Sequence, residues 1–159
     1  MEGEKGSYPG ELTRPHDLVK LADEYRKAAR VIATLGRPRQ PMSRAPYRLS
    51  AIHAVELYLS ALLIHAGHEP ARVRNLRHDF AARTDLALLC GLALRQRTVA
   101  HLRSLTGSRE YLVSRYLPGG ADSLSQLTRL AATLEEVAAK VTTFVASHPA
   151  RPAVGGDLI

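Results

Sequence analysis

Residues 51–66 read AIHAVELYLSALLIHA. Ile52, Val55, Leu59, Leu62, Leu63 and Ala66 recur at steps of three and four, which places them on one stripe of an α-helix. Leu57 and Ile64 widen that stripe. A helix apolar over so much of its girth belongs in the middle of a fold, because a surface helix keeps one polar face. The spacing predicts a central helix from about Ser43 to Ala66. Pro46 sits in its first turn, where a missing N–H is tolerated, and Gly67 ends it.

Outward from this segment the apolar period stays helical. On the N-terminal side Leu18, Leu21, Ala22, Tyr25, Ala28, Ala29 and Ile32 predict a helix from about Asp17 to Leu35. Thr13-Arg14-Pro15 marks its start and Gly36-Arg37-Pro38 its end. On the C-terminal side GHEPARVRN reads as a loop, and His78-Asp79 opens a third helix carrying Leu86 to Leu102, with Gly91 as the place for a break. Thr106-Gly107-Ser108 reads as a turn before a short helix, REYLVSRYL. A last helix, capped by Asp122 or Ser123, carries Leu127, Leu130, Ala131, Leu134, Val137, Ala138, Val141, Phe144 and Val145, and ends near His148-Pro149. Strand-like alternation is absent, so the expected fold is all-α, an antiparallel helical bundle of four main helices plus one short helix. The expected organisation is a flexible arm over 1–12, the bundle over 13–148 and a flexible tail over 149–159.

The chain has 159 residues, 45% hydrophobic and 23% charged, enough for one domain with a sizeable core. Cys90 is the only cysteine, which excludes a disulfide scaffold and a cysteine-built zinc site. The sequence reading finds no apolar run near the roughly 18 residues of a membrane span. The first residues lack the apolar centre of a secretory signal, so no membrane association and a cytoplasmic location are expected. The net charge is +7, and 18 of the 22 basic residues are arginine. Between Arg72 and Arg115 nine arginines face three acids, Asp79, Asp85 and Glu110. Arginine suits phosphate because its planar fork binds two oxygens at once. The same excess also suits a merely solvated helical face.

In order along the chain, Ala51–Leu63, the loop Gly67-His68-Glu69-Pro70, the helix start Leu76-Arg77-His78-Asp79, and Tyr111-Leu112-Val113-Ser114-Arg115-Tyr116 resemble the HEPN family (higher eukaryotes and prokaryotes nucleotide-binding), which consists of small helical bundles. The resemblance spans roughly residues 17–147. Leu117 separates Tyr116 from Pro118, a departure from the Arg-Tyr-Pro element of some branches. The resemblance implies a protein that binds RNA or nucleotides and works as a homodimer. One branch holds metal-independent ribonucleases of toxin–antitoxin pairs. Another holds non-catalytic modules that pair with a nucleotidyltransferase-like or other protein partner.

The nuclease branch carries an arginine, a polar residue after it, and a histidine four to six residues on. Here the segment is Arg95-Gln96-Arg97-Thr98-Val99-Ala100-His101. Five residues separate Arg95 from His101, which fits the length, and three separate Arg97 from His101, which does not. On a helix, however, Arg97 and His101 face the same way, whereas Arg95 lies about 240° round from His101. Cleavage of RNA without a metal needs a proton carrier and a cation on the phosphorane, roles for His101 and Arg97. Arg95, Arg103, Arg109, Tyr111, Arg115 and Tyr116 are the candidate contacts to nucleic acid, the tyrosines by stacking on bases. The alternative for His101 is an ordinary histidine on a basic helix, and for the tyrosines a packing role.

His53 and Glu56 stand at i, i+3, a spacing found in carboxylate metal sites of bundles. Such a site needs several more glutamates and a second Glu/His pair, and apart from Glu135 and Glu136 none stands at suitable spacing, so no metal or other cofactor is expected, and Glu56 is expected to bond an arginine or tyrosine. His65, His68 and His78 surround the basic loop, and Asp79 is placed to cap a helix. No phosphate-cradling glycine motif occurs, and no recognition helix of helix-turn-helix type stands out.

Overall fold

The computed structural model describes residues 13–119 and 124–153. These residues form seven α-helices and one short 3-10 turn: α1 Pro15–Ala33, the 3-10 turn Pro41–Arg44, α2 Ala45–His65, α3 Pro70–Asn75, α4 Phe80–Leu89, α5 Gln96–Ser108, α6 Glu110–Tyr116 and α7 Leu127–Ser147. Among the described residues there is no strand, only one isolated bridge between Arg37 and Gln40. The fold is all-α.

Helix α2 is the hub. It packs against α1, α3, α4, α6 and α7, and α1, α4 and α5 make further contacts with α7, α5 and α7 in turn. Its buried residues, Tyr47, Ala51, Ile52, Ala54, Val55, Tyr58, Leu59, Ala61, Leu62, Leu63 and His65, run round most of its girth. Pro46 lies in the first turn, as the sequence requires. The segment Pro41–His65 is long and apolar enough to cross a membrane, contrary to the reading that no such run exists, but 56% of its most apolar window is buried inside this fold. Neighbouring helices cover much of that apolar surface.

Helix α1 departs from its expected stripe. Val19, Ala22 and Ala29 are buried, while Leu21 and Tyr25 stay exposed. The helix is rotated because its inner side carries polar anchors. Asp23 accepts a hydrogen bond from the buried Tyr58 hydroxyl, and Arg26 pairs with Glu135 of α7 at 2.8 Å. Arg30 adds a second bond to Glu135 at 3.1 Å. Burial, and then the Asp23 carboxylate, push the Tyr58 hydroxyl far above the ordinary tyrosine value, so it remains a donor.

The loop expected at GHEPARVRN contains α3, because Pro70 stands at the helix start, where its fixed φ is already helical. Asp79 caps α4 by accepting from the Ala82 N–H at 3.0 Å. The third helix breaks where Gly91 permits it, at φ 105°, so α4 and α5 are separate elements. Helix α5 runs through the expected turn at Thr106-Gly107-Ser108 and stops at Arg109, whose φ is 53°. Helix α7 begins at Leu127 with Gln126 before it, so its start lies later than expected, and the proposed caps Asp122 and Ser123 fall outside the described residues. It ends at Ser147, just before His148-Pro149. The tail begins bound rather than loose: the Arg151 N–H donates to the His65 carbonyl at 2.9 Å, and Pro152 passes so near Gly67 that a Cβ there would lie 3.0 Å from the Pro152 carbonyl oxygen.

The hub predicts a sharp contrast in stability. Leu62→Ala empties a fully buried position on α2 and should cost about 2–5 kcal/mol in urea unfolding. Leu89→Ala removes an 83% exposed side chain and should change stability by less than about 0.5 kcal/mol. Equal losses would contradict the packing described.

Candidate functional site

Glu110, the first residue of α6, has no exposure to solvent. Arg48 of α2 donates to its Oε1 at 2.6 Å. On the other oxygen, Oε2, it receives the Ser125 N–H at 3.0 Å and the Ser125 hydroxyl. Arg48 also reaches the Ser125 carbonyl at 2.7 Å. Removing one member of such a buried pair typically costs about 3–5 kcal/mol, because it strands the other charge.

His101, on α5, is tied to the same network and is only 7% exposed. Its Nε2 lies 2.7 Å from Ser125 Oγ and its Nδ1 lies 2.7 Å from Thr133 Oγ1 of α7. The hydrogen-bond arithmetic fixes the tautomer. Ser125 gives its only hydroxyl proton to the Glu110 carboxylate, so it must accept from His101. His101 therefore carries its proton on Nε2, and Nδ1 accepts from the Thr133 hydroxyl. Burial pushes the His101 pKa down; the Glu110 carboxylate works against this and Arg129 works with it. The imidazole is a neutral cross-link between α5, α7 and the segment before α7.

Arg97 is on the outer face of α5 and has no ion-pair partner among the described residues. Arg97 and the edge of His101 line one shallow groove together with Ala100, Gln126, Thr128 and Arg129. Among the described residues no carboxylate lines it. Arg129 reaches Thr98 at 3.4 Å, while its Nε is buried without a hydrogen-bond partner among the described residues. The i, i+4 reading thus places Arg97 and His101 at one groove, with the arginine outside and the imidazole turned inward.

The other sequence candidates are dispersed. Arg95 precedes α5; its N–H donates to Glu136 at 2.9 Å and its side chain, 85% exposed, lies 3.6 Å from the same carboxylate. Arg103 is neutralised by Asp85 of α4 at 2.7 Å. Arg109 is exposed at the turn between α5 and α6. Tyr111, Arg115 and Tyr116 do come together on α6. Arg115 stands 5.2 Å from the Tyr111 ring centroid and 4.9 Å from that of Tyr116, and Tyr116 is 69% exposed. The inner face of Tyr111 stacks on His78 at 3.9 Å, so only part of it is open to a base.

A second polar cluster joins α2 to α4. Arg83, 3% exposed, donates to Ser60 Oγ at 2.8 Å, to the Arg77 carbonyl at 2.8 Å and to the Val73 carbonyl at 3.2 Å, and lies 3.4 Å from Glu56 Oε1. Glu56 thus meets an arginine, as expected from its position. His78 Nδ1 lies 3.4 Å from Glu56 Oε2. Sequence reasoning missed Arg83, although a signal existed: Phe80, Arg83, Thr84 and Ala87 form the buried stripe of α4. Among the described residues no three His, Cys, Asp or Glu side chains are placed to hold a metal ion.

No protein-family model, curated protein or solved structure matches the chain.

The lowered pKa of His101 sets a pH dependence. The unfolded chain takes up a proton near the ordinary histidine value of 6.5, whereas the folded chain resists it. The network's contribution is therefore complete above pH 6.5 and is lost as the pH falls below it. Urea unfolding between pH 7.5 and 5.5 should show a steeper loss for the wild type than for His101→Gln. Parallel losses would contradict the neutral, buried state.

Proposed function

We propose that the chain is a HEPN-like antiparallel bundle, with α1, α2, the broken α4–α5 pair and α7 as its main helices and α6 as the short one, and that it binds RNA or nucleotides as a cytoplasmic homodimer. The observation that supports this is the groove beside α5: two arginines, Arg97 and Arg129, flank it and, among the described residues, no acid lines it. Such a surface concentrates phosphate whatever the sequence attached to it. The α6 group of Arg115, Tyr111 and Tyr116 adds a cation and an exposed ring. The geometry favours binding over cleavage. A general base must be free to exchange a proton with substrate, and both nitrogens of His101 are already engaged inside the chain.

A second reading is a non-catalytic dimeric interaction module for a nucleotidyltransferase-like partner or an antitoxin. It draws support from Met42, Tyr116 and Leu117, all exposed and all lining one cleft between the 3-10 turn and α6.

RNA binding by fluorescence anisotropy separates the readings. A single-stranded RNA should bind the wild type with an affinity that falls steeply with salt. Arg97→Gln should weaken it and lower the salt slope by about one, the mark of one lost phosphate contact. Arg103→Gln, whose charge is already met by Asp85, should change little. The RNA should remain intact with wild type and His101→Ala alike. No binding, or equal effects of the two arginine changes, would refute the binding face; cleavage abolished by His101→Ala would restore the nuclease role.

A further inference from the structure

Helix α1 turns Val19, Ala22 and Ala29 into the core and leaves its longer apolar stripe facing outward. Leu18, Leu21, Tyr25, Ala28, Ile32 and Leu35 follow one another at steps of 3, 4, 3, 4 and 3 residues. That alternation is the heptad seam by which one helix packs along another. Leu21 is 45%, Tyr25 38% and Leu35 63% exposed, and Ala28 is exposed as well. Leu18 and Ile32 are partly buried where the seam meets the core. A contiguous apolar stripe left in solvent marks an interaction surface.

The order of the steps says what fits it. Read backwards the series is the same, so two copies of α1 laid antiparallel match position for position. Leu18 of one copy then meets Leu35 of the other, Leu21 meets Ile32, and Tyr25 meets Ala28. At the centre a large ring faces a small side chain, which lets the layers interdigitate. Each contact occurs twice about a two-fold axis, as a closed dimer requires. Antiparallel helices also place opposite ends of their dipoles side by side. The charges beside the seam do not oppose the pairing: Asp17 is met by Arg14 at 2.9 Å and Glu24 by Lys27 at 2.9 Å. The arginine excess that would repel a second copy lies elsewhere, between Arg72 and Arg115.

The size of the face sets the strength of the contact. From Leu18 to Leu35 the seam is about 26 Å long and about 10 Å wide, roughly 260 Å² per copy. Leu57 and Ile64 of α2 continue the apolar surface beside Leu18, and Val31, 69% exposed, borders the other end. The area stays below the roughly 800 Å² per partner of a standard interface, in the class of weak, reversible contacts.

We propose that α1 is the pairing face of a reversible homodimer, packed antiparallel along this seam on α1 of a second copy. The inference rests on the homodimer put forward above and names its surface. The seam is turned away from Arg26 and Arg30, which reach α7, so each copy keeps its own α5 groove open.

Sedimentation velocity of the full chain tests it. The wild type should pass from monomer to dimer over a micromolar concentration series. Leu21→Gln places a polar group in the seam at an already exposed position, so its circular dichroism should match the wild type, and it should raise the dimer dissociation constant at least tenfold. Leu89→Gln, which alters an exposed leucine outside α1, should leave the constant unchanged. Spin labels on Leu35→Cys in a Cys90→Ser background should lie roughly 25–35 Å apart in the dimer, as antiparallel pairing requires. Leu21→Gln should bind a short single-stranded RNA as the wild type does, so the seam and the RNA groove can fail separately. A wild type that stays monomeric to millimolar concentration, a Leu21→Gln dimer as tight as the wild type, or labels at contact distance would overturn the proposal.

Discussion

A carboxylate sealed from water has to be met by donors on both oxygens, and Glu110 is sealed completely. Arg48 supplies one side and Ser125 the other, through its amide and its hydroxyl. From this follows much of the architecture around α5. The segment leading into α7 is bound to α2 through Arg48, and α6 is held at its first residue. Ser125, having spent its proton on Glu110, can only accept from His101. The imidazole is thus oriented, protonated on Nε2, and bound to Thr133 of α7. One buried charge sets the tautomer of a histidine on a different helix.

This constraint separates two residues that helical spacing brings together. Arg97 and His101 are one turn apart on α5 and share a groove, yet their environments are opposite. Arg97 is exposed and has no ion-pair partner among the described residues, whereas His101 serves the interior. A phosphate drawn to Arg97 and Arg129 meets cations and the edge of a neutral ring, an arrangement suited to holding a polyanion. Elsewhere much of the basic charge is already answered: Arg26 and Arg30 by Glu135, Arg103 by Asp85, Arg83 by Glu56. The count of 18 arginines therefore overstates the number free to meet a ligand.

The apolar period made α2 and α7 legible, because both bury stripes of leucine, valine and alanine with few polar interruptions. The Gly91 break and the Asp79 cap were legible too, each from a single residue with a strong local preference. Helix α1 was misread in its facing. The apolar stripe alone takes no account of Asp23 and Arg26, whose partners Tyr58 and Glu135 are distant in sequence and draw them inward. The candidate site was less legible for the same reason. Glu110, Arg48, Ser125 and Thr133 come from four separate segments with no motif spacing between them. The i, i+4 relation correctly put Arg97 and His101 on one side of α5, but it carries no information about what fills the space on that side.

The most direct test of the central claim is the protonation state of the His101 ring, read from its imidazole nitrogens by ¹H–¹⁵N NMR as a function of pH. The structure predicts a neutral ring protonated on Nε2, with Nδ1 unprotonated, that persists as the pH falls past the ordinary histidine value of 6.5. A ring that becomes doubly protonated at or above pH 6.5, or that carries its neutral-state proton on Nδ1, would contradict the network and return His101 to the candidates for proton transfer.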